Sequence, residues 1–166
     1  MNKRKIFNTL FFAIAVYALY LRMPSIVTHF KYQDQKASDF SVKMVNGEEF
    51  KLSSQSKKII VVFWATWCGP CEVELKRINT MILDKKIFPN DVLAISSQED
   101  EKLIRETIKK ENYFFNVGID ADGSVAKLFQ VSGTPTVIFI DENLIINWMT
   151  EGISPTLQYR ISSFLK

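Results

Sequence analysis

A chain of 166 residues, 47% hydrophobic and 23% charged, has the composition of a globular protein, which excludes a disordered polymer and a multi-span membrane protein. Its length leaves room for one compact domain rather than two. The 21 basic and 18 acidic residues give a net charge of +3. Part of that excess is the Lys3, Arg4, Lys5 cluster, so no nucleic-acid partner is indicated.

After the basic cluster comes an apolar run from Ile6 to Leu21, broken only by Asn8 and Thr9, then Arg22, Met23 and Pro24. A membrane-spanning helix needs roughly 17 to 25 residues, which Ile6 to Met23 meets at the short end. Residues 1–23 are therefore expected to be an uncleaved signal anchor, with a cleaved signal peptide and a buried core helix as alternatives. Cleavage would need a small-x-small site after the run. Tyr20 to Met23 offers none, and Ala13-Ile14-Ala15 lies inside the run. Basic residues favour the cytoplasmic side, so the chain is expected to cross the inner (cytoplasmic) membrane once, with everything after Arg22 on the periplasmic side. Residues 24–36, which hold the only histidine, His29, read as a tether, and residues 37–166 as the domain.

Phe40 to Val45 and Glu48 to Leu52 flank Asn46-Gly47, a strong hairpin signal. Ile59 to Trp64 is a continuous apolar run of β-branched and aromatic residues, as expected of a central strand buried on both faces. From Cys71 to Leu83, apolar residues at Val73, Leu75, Ile78, Met81 and Ile82 give a helical pattern, with Pro70 suited to its first turn. Val92 to Ile95 is a second buried strand, and Ser97 with Asp100 can cap the charged helix after it. Asp122-Gly123 precedes a short helix ending near Gln130. Thr136 to Ile140 is a strand that pairs with Leu144 to Met149 across a turn at Asp141-Glu142-Asn143, and Ser154-Pro155 starts a last helix to Leu165. The order predicts an α/β domain, a mixed sheet flanked by helices, with parallel crossovers first and an antiparallel hairpin last.

The two cysteines of the chain, Cys68 and Cys71, stand two residues apart at a strand-to-helix junction. A thiolate at a helix N-terminus is stabilised by unpaired amide N–H groups and by the positive end of the helix dipole. A second thiol one turn on can attack the mixed disulfide. Cys68 is thus expected to be the exposed nucleophile and Cys71 the deeper, resolving thiol. A plain stabilising disulfide is the bland alternative, but so short a loop constrains little of the unfolded chain. Half of a zinc site is another, and beyond the cysteines only His29 could contribute a soft ligand, far off in the tether.

The segment Val62-Phe63-Trp64-Ala65-Thr66-Trp67-Cys68-Gly69-Pro70-Cys71 resembles the active-site segment of thioredoxin-fold proteins. Gly133-Thr134-Pro135-Thr136 resembles their second element, in which the proline is cis, lies against the cysteines, and follows a residue that presents its backbone to an extended substrate. By that resemblance Pro135 and Thr134 take these roles. An ordinary turn before a strand is the alternative reading of Pro135.

From about Ala37 to the C-terminus, with Asp39-Phe40, the Asn46-Gly47 hairpin and the long segment between Ile95 and Thr134, the chain resembles the TlpA/ResA/CcmG (DsbE) group. These are anchored reductases of selected disulfides, including those of apocytochrome c. The resemblance implies a protein disulfide as substrate; a reductant in an oxidising space must itself be recharged, so a transmembrane electron donor is expected, and no cofactor or metal is expected. Leu75 departs from the group, replacing a common proline, and Val62 stands where cytoplasmic thioredoxins bury an Asp.

Loss of the Cys71 proton in an apolar setting requires an acceptor. The resemblance points to Glu99, after Leu93-Ala94-Ile95; a solvated acid favoured by the helix dipole is the equal alternative. Trp67 is expected to cover the site in part and Trp64 to pack in the core, while Glu74 reads as a solvated helix residue. Gly69-Pro70 matches thioredoxin, whose potential is about −270 mV, against about −120 mV for the oxidant DsbA, which favours a reductant. The rivals are a disulfide-forming oxidant, a Cu(I) carrier holding the metal between both thiolates, and a thiol peroxidase, which would show Thr near an isolated cysteine.

Overall fold

The computed structural model describes residues 7–14, 16–17 and 32–166. Residues 7–14 and 16–17 are helical, and among the described residues no helix is long and apolar enough to cross a membrane. Most of the expected anchor and tether, His29 included, lies outside the described residues.

One seven-stranded sheet organises the domain. Its strands are β1 (Ser41–Met44), β2 (Glu49–Lys51), β3 (Ile59–Trp64), β4 (Val92–Ser97), β5 (Asn116–Asp120), β6 (Thr136–Ile140) and β7 (Ile146–Glu151), in the spatial order β2-β1-β5-β4-β3-β6-β7. The helices are α1 (Gly69–Leu83), α2 (Glu101–Glu111), α3 (Ser124–Leu128) and α4 (Leu157–Phe164). β3, β4 and β5 run parallel, and β6 runs antiparallel to β3. The crossovers through α1 and α2 step across the sheet in the same direction, and crossovers of one hand then put both helices on one face. Leu75 and Ile78 of α1, Ile104 of α2, and Leu157 and Ile161 of α4 accordingly share one core with Ile60, Val62 and Trp64. The alternate β3 residues Ile59, Val61 and Phe63 form the other core with Val125, Phe129 and the hairpin residues Phe40, Val42 and Phe50. Every β3 residue is buried, as the apolar run predicted for a strand covered on both sides.

The structure alters several local expectations. The hairpin turn is one residue longer than a two-residue loop: the Gly47 N–H donates to Met44 O at 2.9 Å, and only Gly47 of the Asn46-Gly47 pair has positive φ, at 92°. A tight turn followed by a left-handed glycine is the next commonest hairpin geometry. Asp100 caps α2 through the Lys102 and Leu103 N–H groups, whereas the Ser97 hydroxyl turns away and donates to Asp120 at 2.7 Å. α4 starts after Thr156 rather than Ser154. Asp34 to Ala37, at the edge of the expected tether, already pair with the start of β7 through Asp34 N–Ile146 O, Ile146 N–Gln35 O and Ala37 N–Leu144 O.

β5 has no counterpart in the sequence reading, because Asn116 and Gly118 are poor strand formers. Gly118 is required by close approach: a Cβ there would lie 2.9 Å from Val42 Cγ1. Gly118→Ala is therefore expected to destabilise the domain. An overpacking cost of about 1–3 kcal/mol outweighs the 0.4–1 kcal/mol or so gained by stiffening the unfolded chain. A lower urea midpoint at unchanged slope is the expected result, and an equal or higher midpoint would contradict this packing.

Candidate active site

β3 ends at Trp64, and the chain turns through Ala65, Thr66 and Trp67 into α1. Cys68 is the N-cap of that helix, with Gly69 and Pro70 in its first turn. Proline suits this position because its missing N–H would be unpaired there in any case. The Cys68 Sγ accepts from the Cys71 N–H at 3.2 Å, and the two cysteines are joined as a disulfide with Cα atoms 5.2 Å apart. Cys71 is fully buried and Cys68 retains 7% of its surface, so the expected order of depth holds but Cys68 is less open than expected. Its sulfur is turned toward the helix end, and the Thr134 carbonyl oxygen stands 3.5 Å from it. Gly69 and Pro70 are exposed, and a Cβ at Gly69 would meet open space.

The loop before β6 faces the cysteines. The Thr134-Pro135 peptide bond is cis. The loop is held by the Thr136 hydroxyl on Gly133 O at 2.7 Å and by the Gly152 N–H on Pro135 O at 2.7 Å. Ser132 donates to the Glu151 carboxyl at 2.8 Å, which ties the loop to the end of β7, and the Glu151 carboxyl lies close over Gly133.

Glu99 follows β4 and lies partly buried. Its carboxyl accepts from the Thr66 N–H at 3.0 Å and the Thr66 hydroxyl at 2.6 Å, and from the Ser96 hydroxyl. It thereby fixes the turn two residues before Cys68. Trp67 is 79% exposed, more open than a partial cover. With Glu99, Gln98, Val131, Ser132 and Thr134 it lines a groove of about 350 Å³. Trp64 is buried in the core, edge-on to Tyr113 with ring centroids 6.3 Å apart. A smaller cavity of about 90 Å³ adjoins Cys68, walled by Trp64, Leu75, Glu111 and Tyr113. Burial, and then the nearby Glu111 carboxylate, push the Tyr113 hydroxyl up to about 12.

Glu74 overturns the expectation of a solvated helix residue. It has no exposed surface, accepts from the Ser154 N–H at 2.6 Å and pairs with Arg77 at 3.3 Å. The signal was present in the spacing: Glu74 lies three residues after Cys71 and four before Ile78, on the face that α1 buries. Through Ser154 and Gly152 it ties the cysteine helix to the segment that holds Pro135. Among the described residues no cluster of three or more His, Cys, Asp and Glu side chains has the arrangement of a metal site. Glu74→Ala would leave the buried Ser154 N–H unpaired, at a cost of about 1–3 kcal/mol, whereas Glu74→Gln keeps an acceptor and should cost less. Chemical denaturation of both variants checks this, and an alanine variant as stable as the wild type would contradict the brace.

Comparison with known proteins agrees with this geometry. Residues 34–149 match the AhpC/TSA family. The chain is 28% identical over 110 residues to the thiol-disulfide oxidoreductase ResA of Bacillus thuringiensis subsp. konkukian, covering 66% of this chain and 64% of that one. It is 32% identical over 117 residues to the thioredoxin-like protein YneN of Bacillus subtilis, covering 69% and 68%. It thus spans a little under two thirds of the length of that ResA relative. Among solved structures, a Chlorobium tepidum protein assigned as the thiol:disulfide interchange protein DsbE superposes with a TM-score of 0.71 at 28% identity, over 81% of this chain and 98% of that one. The cysteine pair at a helix start, the cis-proline loop facing it and these likenesses together place the chain in the AhpC/TSA family, within its thioredoxin-like TlpA/ResA/CcmG group.

Proposed function

We propose that this protein is an extracytoplasmic thiol:disulfide oxidoreductase that reduces selected protein disulfides, apocytochrome c before haem attachment among them. Cys68 and Cys71 act as its dithiol. The observation that carries the reading is the position of Cys68: N-cap of α1, sulfur 3.5 Å from the Thr134 carbonyl, with the second sulfur buried behind it. The Ile6 to Met23 segment anchors the domain to the cytoplasmic membrane, where a transmembrane donor returns it to the dithiol form.

In this reaction the Cys68 thiolate, stabilised by the N-terminal amides of α1, attacks one sulfur of the substrate disulfide. The substrate's other sulfur leaves as a thiolate and takes up a proton. Cys71 then gives up its proton, and its thiolate attacks the Cys68 sulfur and expels the second substrate thiolate, which is protonated in turn. Two electrons and two protons pass to the substrate, and the protein is left as the disulfide described above. Trp67, Gly69 and Pro70 form the exposed approach to Cys68, and Thr134 with Pro135 faces the incoming chain. Glu99 acts on the site through the Thr66 turn. The Thr66 hydroxyl is turned to Glu99, at 2.6 Å, and so is not offered to a peroxide at Cys68, which favours disulfide exchange over the peroxidase reading.

The test is reduction of a protein disulfide by the pre-reduced full chain. Cys68→Ser should abolish turnover. Cys71→Ser should accumulate a covalent mixed disulfide through Cys68, seen as a mass adduct that a small thiol releases. Adducts that form at Cys71 in Cys68→Ser, or full turnover without Cys71, would overturn the assignment of roles.

A further inference from the structure

The charge balance around the cysteines is uneven. Glu72 and Glu111 share Lys76, Glu74 has Arg77, and Glu101 has Lys43 and Arg105. Glu99 has no such partner among the described residues. Its donors are the Thr66 N–H and hydroxyl and the Ser96 hydroxyl, all neutral. The dipole of α2 already has Asp100 on its first N–H groups. The groove that Glu99 lines contains no Lys, Arg or His. Beyond its far edge stands Glu151, bonded to Ser132 and likewise without an ion pair among the described residues. The walls also offer the exposed Trp67 indole and the apolar Val131, beside the neutral Ser97 and Gln98 side chains.

A partly buried carboxylate with only neutral donors, set in an aromatic groove, suits a guanidinium or ammonium on an apolar stem. The stem can lie along Trp67 and Val131, the cation can meet the indole face, and the charged head can complete the Glu99 carboxyl. The groove's volume of about 350 Å³ accommodates one such side chain, and Thr134, on its wall, contacts the Cys68 sulfur. We infer that this groove selects substrates, taking the Arg or Lys side chain of a polypeptide whose disulfide is presented to Cys68. The inference rests on the reading of Cys68 as the thiol that attacks protein disulfides. It assigns Glu99 a specificity role in addition to holding Thr66.

The test uses the full chain and short peptide disulfides that differ in one residue flanking the cysteines, carrying arginine, its neutral isostere citrulline, or glutamate. With the residue placed in turn on either side, kcat/KM for arginine should exceed that for citrulline by about fivefold at one position, the size of a partly exposed ion pair. Glutamate should fall below citrulline, and added salt should narrow both gaps. Glu99→Gln should bring the arginine-to-citrulline ratio close to one. A role confined to holding Thr66 would slow both peptides equally and leave the ratio intact. The wild-type comparison stands even if that variant does not fold. Equal wild-type rates for arginine and citrulline at every position, or an undiminished ratio in Glu99→Gln, would overturn the inference while leaving the reductase reading in place. Failure to reduce any of the peptides would overturn both.

Discussion

The antiparallel pairing of β3 with β6 is the constraint on which the site depends. Phe63 opposite Thr136 and Val62 opposite Val137 set the C-terminal end of one strand beside the N-terminal end of the other. The chain leaving β3 reaches Cys68 within four residues, and the chain entering β6 comes from Thr134-Pro135. Two segments 66 residues apart in sequence are thereby brought to 3.5 Å. Because β3 is buried on both faces, a one-residue slip in this register would turn each of its side chains to the other core. The same burial that stabilises the sheet therefore also fixes the distance between the sulfur and the facing carbonyl.

Around that junction the fold adds two braces from opposite sides. On one, Glu99 holds the Thr66 turn to the end of β4. On the other, Glu74 holds α1 to Ser154, while Gly152 and Glu151 hold the proline loop from behind. Each brace uses a carboxyl accepting backbone or hydroxyl donors, which fixes geometry better than an apolar contact would, because a buried donor left unpaired is costly. Only Glu74 also has a cation beside it. That difference separates the acid that serves the fold alone from the acid that faces a groove.

Much of this was legible in the sequence where the signal is local. The unbroken run Ile59 to Trp64 gave the central strand, the Cys-Gly-Pro-Cys spacing gave a helix start, and Gly133-Thr134-Pro135-Thr136 gave the facing loop by resemblance. Hydrophobic periodicity placed α1, continuous apolar runs placed β4 and β6, and a capping residue before a charged segment placed α2. What escaped depended on partners distant in sequence. β5 contains Asn116 and Gly118, and the need for glycine there comes from Val42 on a strand more than seventy residues earlier. Glu74 was read by its charge, although its position between Cys71 and Ile78 put it on the buried face; its acceptor role is set by Ser154. Ser97 looked like a cap because it precedes a helix, but its hydroxyl donates to Asp120 on the neighbouring strand and Asp100 alone takes the helix N–H groups.

The direction of electron flow is the claim from which substrate, donor and location all follow. Gly69-Pro70 between the cysteines favours the dithiol as the donor, and the exposed first turn leaves room for a protein partner. The equilibrium reduction potential of the Cys68/Cys71 pair, measured on the full chain against glutathione and a stronger dithiol, tests this directly. A value near or below about −270 mV, that of thioredoxin, is the predicted result; a value near −120 mV, that of DsbA, would make the protein a disulfide-forming oxidant and contradict the account.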